Sequence, residues 1–197
     1  MEGKYLYFAS GTTAPDAVGE SILYPVNSIA GVEPFAPTKL KIFFTPRNTS
    51  SFVEDDNEFV VIKITSGKHK QVADAIIGVI NSGSRDGGFI TVSDEPNSIS
   101  LNSDISTTST TASASVNSSS INNTTAEERI KLFWVPVDGN SGTISVGDVV
   151  TGTGISGVVT VSTVTDQNNL ILSSTQTLND DVSLTFTNAA VRISLVS

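Results

Sequence analysis

From Val146 to Thr165 the chain reads VGDVVTGTGISGVVTVSTVT, with Asp148 as its one ionisable side chain. Valine and threonine carry two heavy atoms on Cβ, which costs rotamer freedom in a helix and packs well on a pleated sheet. At this density they commit the segment to strands. The glycines interrupt the runs where a turn or bulge needs a positive φ. GTGISG does not lead from a strand into a helix, so it is not a phosphate-cradling loop. A stretch so poor in reactive groups makes a surface.

The same grammar runs through the rest of the chain: short apolar runs separated by Gly, Pro, Asn and Asp. KYLYFA (Lys4 to Ala9), SILYPV (Ser21 to Val26), KLKIFFTP (Lys39 to Pro46), FVVIKIT (Phe59 to Thr65) and GFITVSD (Gly88 to Asp94) read as strands. Pro25 marks the second as an edge strand or a strand end, because proline cannot donate to a ladder. NSIAGVEPFAPT, between the second and third runs, reads as a loop or a single helical turn. One segment departs from the pattern. In TSGKHKQVADAIIGVINSG, Val72, Ile76, Val79 and Ile80 recur at helical spacing, with Ala73 and Ile77 beside them. Thr65 or Ser66 can cap its start and Gly83 can end it. A sheet with one amphipathic helix packed on it is expected for this half.

Composition changes sharply from Ser100 to Thr125, SLNSDISTTSTTASASVNSSSINNTT, which is more than half Ser and Thr. Two readings stay open. It is a flexible linker, or it is an extended polar arm in which Ile105, Val116 and Ile121 favour β structure. Beyond it, RIKLFWVPV carries the lone tryptophan, Trp134, and is followed by GTISV, VVTGTGI, GVVTVSTVT, NLILSS, VSLTFT and AAVRISLV. Strands this short, about ten residues apart, suit a small barrel or sandwich. The expected organisation is therefore mainly β. Residues 1–99 form an α+β domain with one helix, 100–126 the Ser/Thr-rich linker or arm, and 127–197 an all-β barrel or sandwich.

Charged residues are only 16% of the 197, and the net charge is −9. That sign disfavours nucleic acid and anionic membranes, whose binding rests on Lys and Arg. No run of about 18 apolar residues exists to span a bilayer, and the first residues lack the apolar core of a signal peptide, which points to a chain made in a cytoplasm. The Asn-x-Ser/Thr matches at Asn48, Asn117, Asn122 and Asn123 are expected by chance in so Ser/Thr-rich a chain.

With no cysteine and one histidine, catalytic triads and zinc sites are close to excluded. His69 lies between Lys68 and Lys70 and reads as a solvated side chain in a basic first turn. The carboxylates Glu54-Asp55-Asp56-Asn57-Glu58, Asp94-Glu95 and Asp180-Asp181 lack calcium-loop spacing and read as solvated turns. No catalytic, cofactor-binding or metal-binding residue is assigned, no cofactor is expected, and the chain is read as a non-enzyme.

Two phrases carry a resemblance. Gly147, Asp148, Val150, Thr151, Gly152, Gly154 and Ile155, then Ser174, Gln176, Thr177 and Leu178, then Leu184 to Phe186, resemble a short β module of tailed-bacteriophage structural proteins. This covers about a quarter of the chain. YLYF, PVNSIAGVEP (Pro25 to Pro34), TSGKHKQV and DGGFITV resemble virion structural proteins of marine and cyanobacterial phages, with one extra glycine, Gly87 or Gly88, in the last phrase. The resemblance implies a non-enzymatic virion component assembled in the host cytoplasm, most simply a capsid decoration or cement protein. The partners it implies are other copies of the chain, as a homo-oligomer and by analogy a trimer, and the major capsid protein or other virion proteins. A tail, neck or fibre component is the alternative, with a receptor- or carbohydrate-binding module among its forms. Such a module needs aromatics exposed on a face, whereas here they fall in what read as core strands.

Overall fold

The computed structural model describes residues 3–11, 20–45, 58–82, 88–117 and 134–194. The fold is mainly β with a single helix, and the chain divides into two compact units, Met1–Ser109 with Ala189–Ser197, and Thr110–Asn188.

The first unit holds two four-stranded sheets. Sheet A contains β1 (Tyr5–Ala9), β2 (Ser21–Pro25), β6 (Phe89–Asp94) and β7 (Ile99–Ser100), in the order β2-β1-β6-β7, with β1 and β6 parallel. Sheet B contains β3 (Ile29–Ala36), β4 (Lys39–Phe44), β5 (Glu58–Lys63) and β14 (Val191–Ser194), antiparallel throughout, in the order β14-β5-β4-β3. Alternation sends Leu6, Phe8, Ile22, Tyr24, Ile90 and Val92 from sheet A, and Leu40, Ile42, Phe44, Val60, Ile62 and Val191 from sheet B, into one core. Tyr24 stacks on Phe44 at 3.8 Å between ring centroids, and Phe8 meets the same ring edge-on at 6.1 Å. The helix α1 (His69–Asn81) follows β5 and adds Val72 and Ile76 to that core. Lys68 occupies the cap position without a side-chain bond, so neither Thr65 nor Ser66 caps the helix. At the other end the Lys4 ammonium donates to the carbonyl of Ile80, where a cation meets the negative end of the helix dipole.

The segment from Asn27 to Thr38 is not a loop. A short 3-10 turn over Val26–Ser28 leads straight into β3, which pairs with β4 from Ile29 to Ala36. Pro34 is compatible because β3 is an edge strand, as is β2 with Pro25.

The second unit is a closed six-stranded barrel. Its members are β8 (Thr110–Val116), β9 (Trp134–Ser141), β10 (Val149–Gly152), β11 (Val159–Asp166), β12 (Asn169–Leu172) and β13 (Ser183–Asn188), in the order β10-β11-β12-β9-β8-β13, with β13 pairing back to β10. Closure removes the open sheet edges that a set of short strands would otherwise present. Ala112, Ala114, Val116, Val135, Val137, Val150, Val159, Val161, Leu170, Leu172, Leu184 and Phe186 fill its core. GTISV (Gly142 to Val146) is a connecting segment rather than a strand, though Ile144 reaches the core.

Two of the expected boundaries are corrected by this arrangement. The Ser/Thr-rich stretch is not a linker over Thr110–Val116, because that segment is a barrel strand between β9 and β13. In TTASASV the alanines and valine point inward and the serines outward. The barrel therefore begins near residue 110, not 127. The last strand, β14, does not belong to the barrel; it pairs with β5 and buries Val191 in the core of the first unit. The barrel is thus an insertion in a domain made of both chain ends. Residues 118–126 of the proposed linker, with Ile121, lie outside the described residues.

Candidate interaction surfaces

The residues that carry ionisable chemistry are used to hold the fold. His69, expected in solvent, donates from Nε2 to the carbonyl of Ala36 at 2.8 Å, tying the helix start to the end of β3. Asp94 and Glu95 are buried, not solvated. Asp94 accepts from the backbone and side-chain amides of Asn97, closing the turn after β6. Glu95 accepts from the Gly11 N–H at 3.2 Å and the Ser109 N–H at 2.9 Å. Ser109 Oγ in turn accepts from the Ala190 N–H at 2.9 Å. Exit from and return to the first unit are thereby pinned by one buried carboxylate and one hydroxyl. The Asp180-Asp181 turn is exposed, as expected; Asp181 has φ +61° and its N–H bonds Val116 of β8. Glu58 is buried at the start of β5, and Glu54 to Asn57 lie outside the described residues. Among the described residues no three His, Cys, Asp or Glu side chains are grouped to hold a metal ion.

The glycine-rich phrase is barrel wall. Asp148 is fully buried and accepts from the Ser145 N–H at 2.8 Å, holding the turn into β10. Gly154 has φ +89°, and a Cβ there would lie 2.5 Å from the Thr177 carbonyl oxygen, so only glycine fits. Gln176 accepts from the Ser156 N–H and donates to Ser174 Oγ, locking that turn against the Ser174 to Leu178 segment. The turn around Gly154 and the Ser174 to Leu178 segment are therefore in contact, and Gly154 and Gln176 fix that contact.

What the fold presents outward is more informative. In sheet A the side chains opposite the core are Tyr5, Tyr7, Leu23, Pro25, Phe89 and Thr91, brought side by side by the pairings Tyr7↔Leu23, Tyr5↔Pro25, Tyr5↔Phe89 and Tyr7↔Thr91. The Tyr7 and Phe89 rings lie 5.2 Å apart. Tyr5, Leu23 and Phe89 remain 45%, 43% and 49% exposed, a contiguous apolar patch on one sheet face. Isolated exposed apolar residues are ordinary, whereas a contiguous patch is a candidate interaction surface.

The outer face of sheet B is of a different kind. Cross-strand pairing sets Glu33, Lys41, Val61 and Arg192 in one row and Gly31, Phe43, Phe59 and Ser194 in the next. The Lys41 ammonium lies 4.3 Å from the Phe59 ring centroid, 4.4 Å from Phe43 and 5.6 Å from Phe35. Arg192 approaches the Phe59 ring at 5.4 Å. Burial holds the Lys41 ammonium below its ordinary pKa; Glu33 opposes that shift and Arg192 adds to it. Burial lowers Arg192 as well. The expectation that the aromatics serve the core is thus corrected for six of them, Tyr5, Tyr7, Phe35, Phe43, Phe59 and Phe89, which lie on outer faces.

Compared with protein-family models, curated proteins and solved structures, the chain gives no match.

Proposed function

We propose that the chain is a non-enzymatic structural component of a tailed-phage virion, a decoration or cement protein that coats or stabilises the head. The observation that carries this reading is the apolar outer face of sheet A, whose Tyr5, Leu23 and Phe89 are left to solvent in an otherwise well-packed unit. A lattice protein needs such a face, because association draws chiefly on apolar burial and each fully covered Leu or Phe side chain contributes about 1.5–3 kcal/mol. The resemblance of the Gly147–Phe186 phrases to phage structural modules supports the same reading. The partners are then the major capsid protein or other virion proteins, together with further copies of the chain. The outward aromatics also support a second reading, a tail or fibre component that holds a carbohydrate or receptor.

The test is rebinding to particles that lack the chain. Leu23→Asp combined with Phe89→Asp is expected to lower occupancy at least tenfold while leaving the melting temperature within about 3 °C, since both side chains are outside the core. Full occupancy by the double variant would remove sheet A from the interface and this reading with it.

A further inference from the structure

Charge is distributed very unevenly over this acidic chain. The outer face of sheet B carries Lys41, Lys63 and Arg192 and, among the described residues, one carboxylate, Glu33. The chain has 11 Lys and Arg in all, so eight remain for the other 19 of its 20 Asp and Glu. Lys39, the register partner of Lys63 across β4 and β5, is buried and does not add to that face. The Lys63 ammonium donates to the Thr108 carbonyl. Among the described residues, no side-chain hydrogen bond or ion pair engages Lys41 or Arg192; their contacts are with phenylalanine rings. They flank Val61 from strands two apart, roughly 10 Å between backbones. That span admits a carboxylate over an apolar floor.

The complement lies in the same sequence. Residues 134–188 contain no Lys, Arg or His and five aspartates. One of these, Asp148, is buried. The other four, Asp138, Asp166, Asp180 and Asp181, are exposed, and three of them, Asp138, Asp180 and Asp181, lie near the end of β8. There Asp138 pairs with Ser115 of β8 and the Asp181 N–H bonds Val116, whereas Asp166 ends β11, which runs in the same direction as β13, and so lies at the opposite end of the barrel. Asp138 accepts from Asn117, and Asp166 from Asn168 and Asn169, all neutral amides that leave the negative charge in place.

We propose that the Lys41–Arg192 face of one copy receives the aspartates beside the end of β8 in the barrel of a second copy, head to tail. The ring faces of Phe43 and Phe59 are already covered by the Lys41 ammonium, which disfavours stacked bases or sugars as the occupant and favours carboxylates arriving from outside. Two different patches meet in such a contact, so it closes into a ring or extends as a chain of copies. It engages a face other than the apolar sheet A patch and does not depend on the virion reading.

The experiment is sedimentation velocity of the purified full chain at about 0.02 M and about 0.5 M salt, where screening separates exposed charge pairs from apolar contacts. Concentration-dependent association is expected at low salt, weakening at least tenfold at high salt. Lys41→Glu with Arg192→Glu is expected to abolish it, as is Asp138→Lys with Asp181→Lys. An equimolar mixture of the two double variants should associate again, because each supplies the reversed partner surface. Lys41→Met with Arg192→Met keeps the apolar stems, so it should melt at or above the parent temperature and still fail to associate. A chain that is monomeric under every condition overturns the proposal, as does association that ignores both charge reversals. Binding of polyglutamate or heparin through Lys41 and Arg192 by a strictly monomeric chain would also overturn it, assigning the face to another anionic partner.

Discussion

A fragment comprising residues 110–188 is expected to fold alone as the closed barrel, and a fragment comprising residues 127–197 is expected not to fold. The two differ chiefly in β8 and β14. Without β8 the barrel opens between β9 and β13, and the inward Ala112, Ala114 and Val116 leave the core. A unit of about 80 residues has roughly 4–12 kcal/mol in total. Losing one of six strands, with its ladder on both sides, removes most of that. The added β14 cannot compensate, because its partner β5 is in the other unit. Circular dichroism and amide dispersion in NMR spectra check both fragments. A folded 127–197 fragment would contradict the barrel as described.

Truncation after Asn188 is expected to damage the first unit and spare the barrel. It removes Val191 and Ile193 from the core and leaves β5 as an exposed edge. One buried aliphatic side chain at about 1.5–3 kcal/mol and one half-buried at about half that, with ladder hydrogen bonds at about 1 kcal/mol apiece, amount to roughly 5 kcal/mol. For a unit of about 100 residues that lowers the melting temperature by about 20 °C. Calorimetry of the truncated chain should show one transition moved down and a second, the barrel, in place. A single unshifted transition would mean that β14 contributes nothing to the first unit.

Much of the fold was legible in the sequence, for identifiable reasons. The helix stood out because Val72 and Ile76 recur at its period, and both reach the core. The strands of Val149–Gly152 and Val159–Asp166 were legible because β-branched residues dominate them, and Asn169–Leu172 because its apolar Leu-Ile-Leu run follows a turn signal. Thr110–Val116 was obscured by composition. Its signal was the strict alternation of ASASV, in which alanine is small enough for the barrel interior, and average polarity hid it. Val191–Ser194 read correctly as a strand, but a strand's pattern does not name its partner, and chain proximity suggested the wrong one. Ile29–Ala36 was concealed by Gly31 and Pro34, which an edge strand tolerates.

The surfaces were harder to read than the fold. YLYFA is apolar on both faces, so periodicity could not say that Tyr5 and Tyr7 face out while Leu6 and Phe8 face in; in KLKIFF the alternation of Lys39 and Lys41 against Leu40 and Ile42 did mark the buried face. Only the pairing of β1 with β2 and β6, and of β4 with β3 and β5, brings the outward residues into patches. The two buried carboxylates after β6 were misread for a related reason. A turn sequence such as DEPN signals a reversal, but not that the chain end from Ser109 packs over it.

Copy number and position on a particle test most directly the proposal that the chain coats a virion. Quantitative mass spectrometry of purified virions, combined with an electron cryomicroscopy map, is expected to find hundreds of copies on the capsid lattice, with sheet A of the first unit against the shell. A dozen or fewer copies at the tail or neck would favour the second reading. Absence from purified particles would contradict the account.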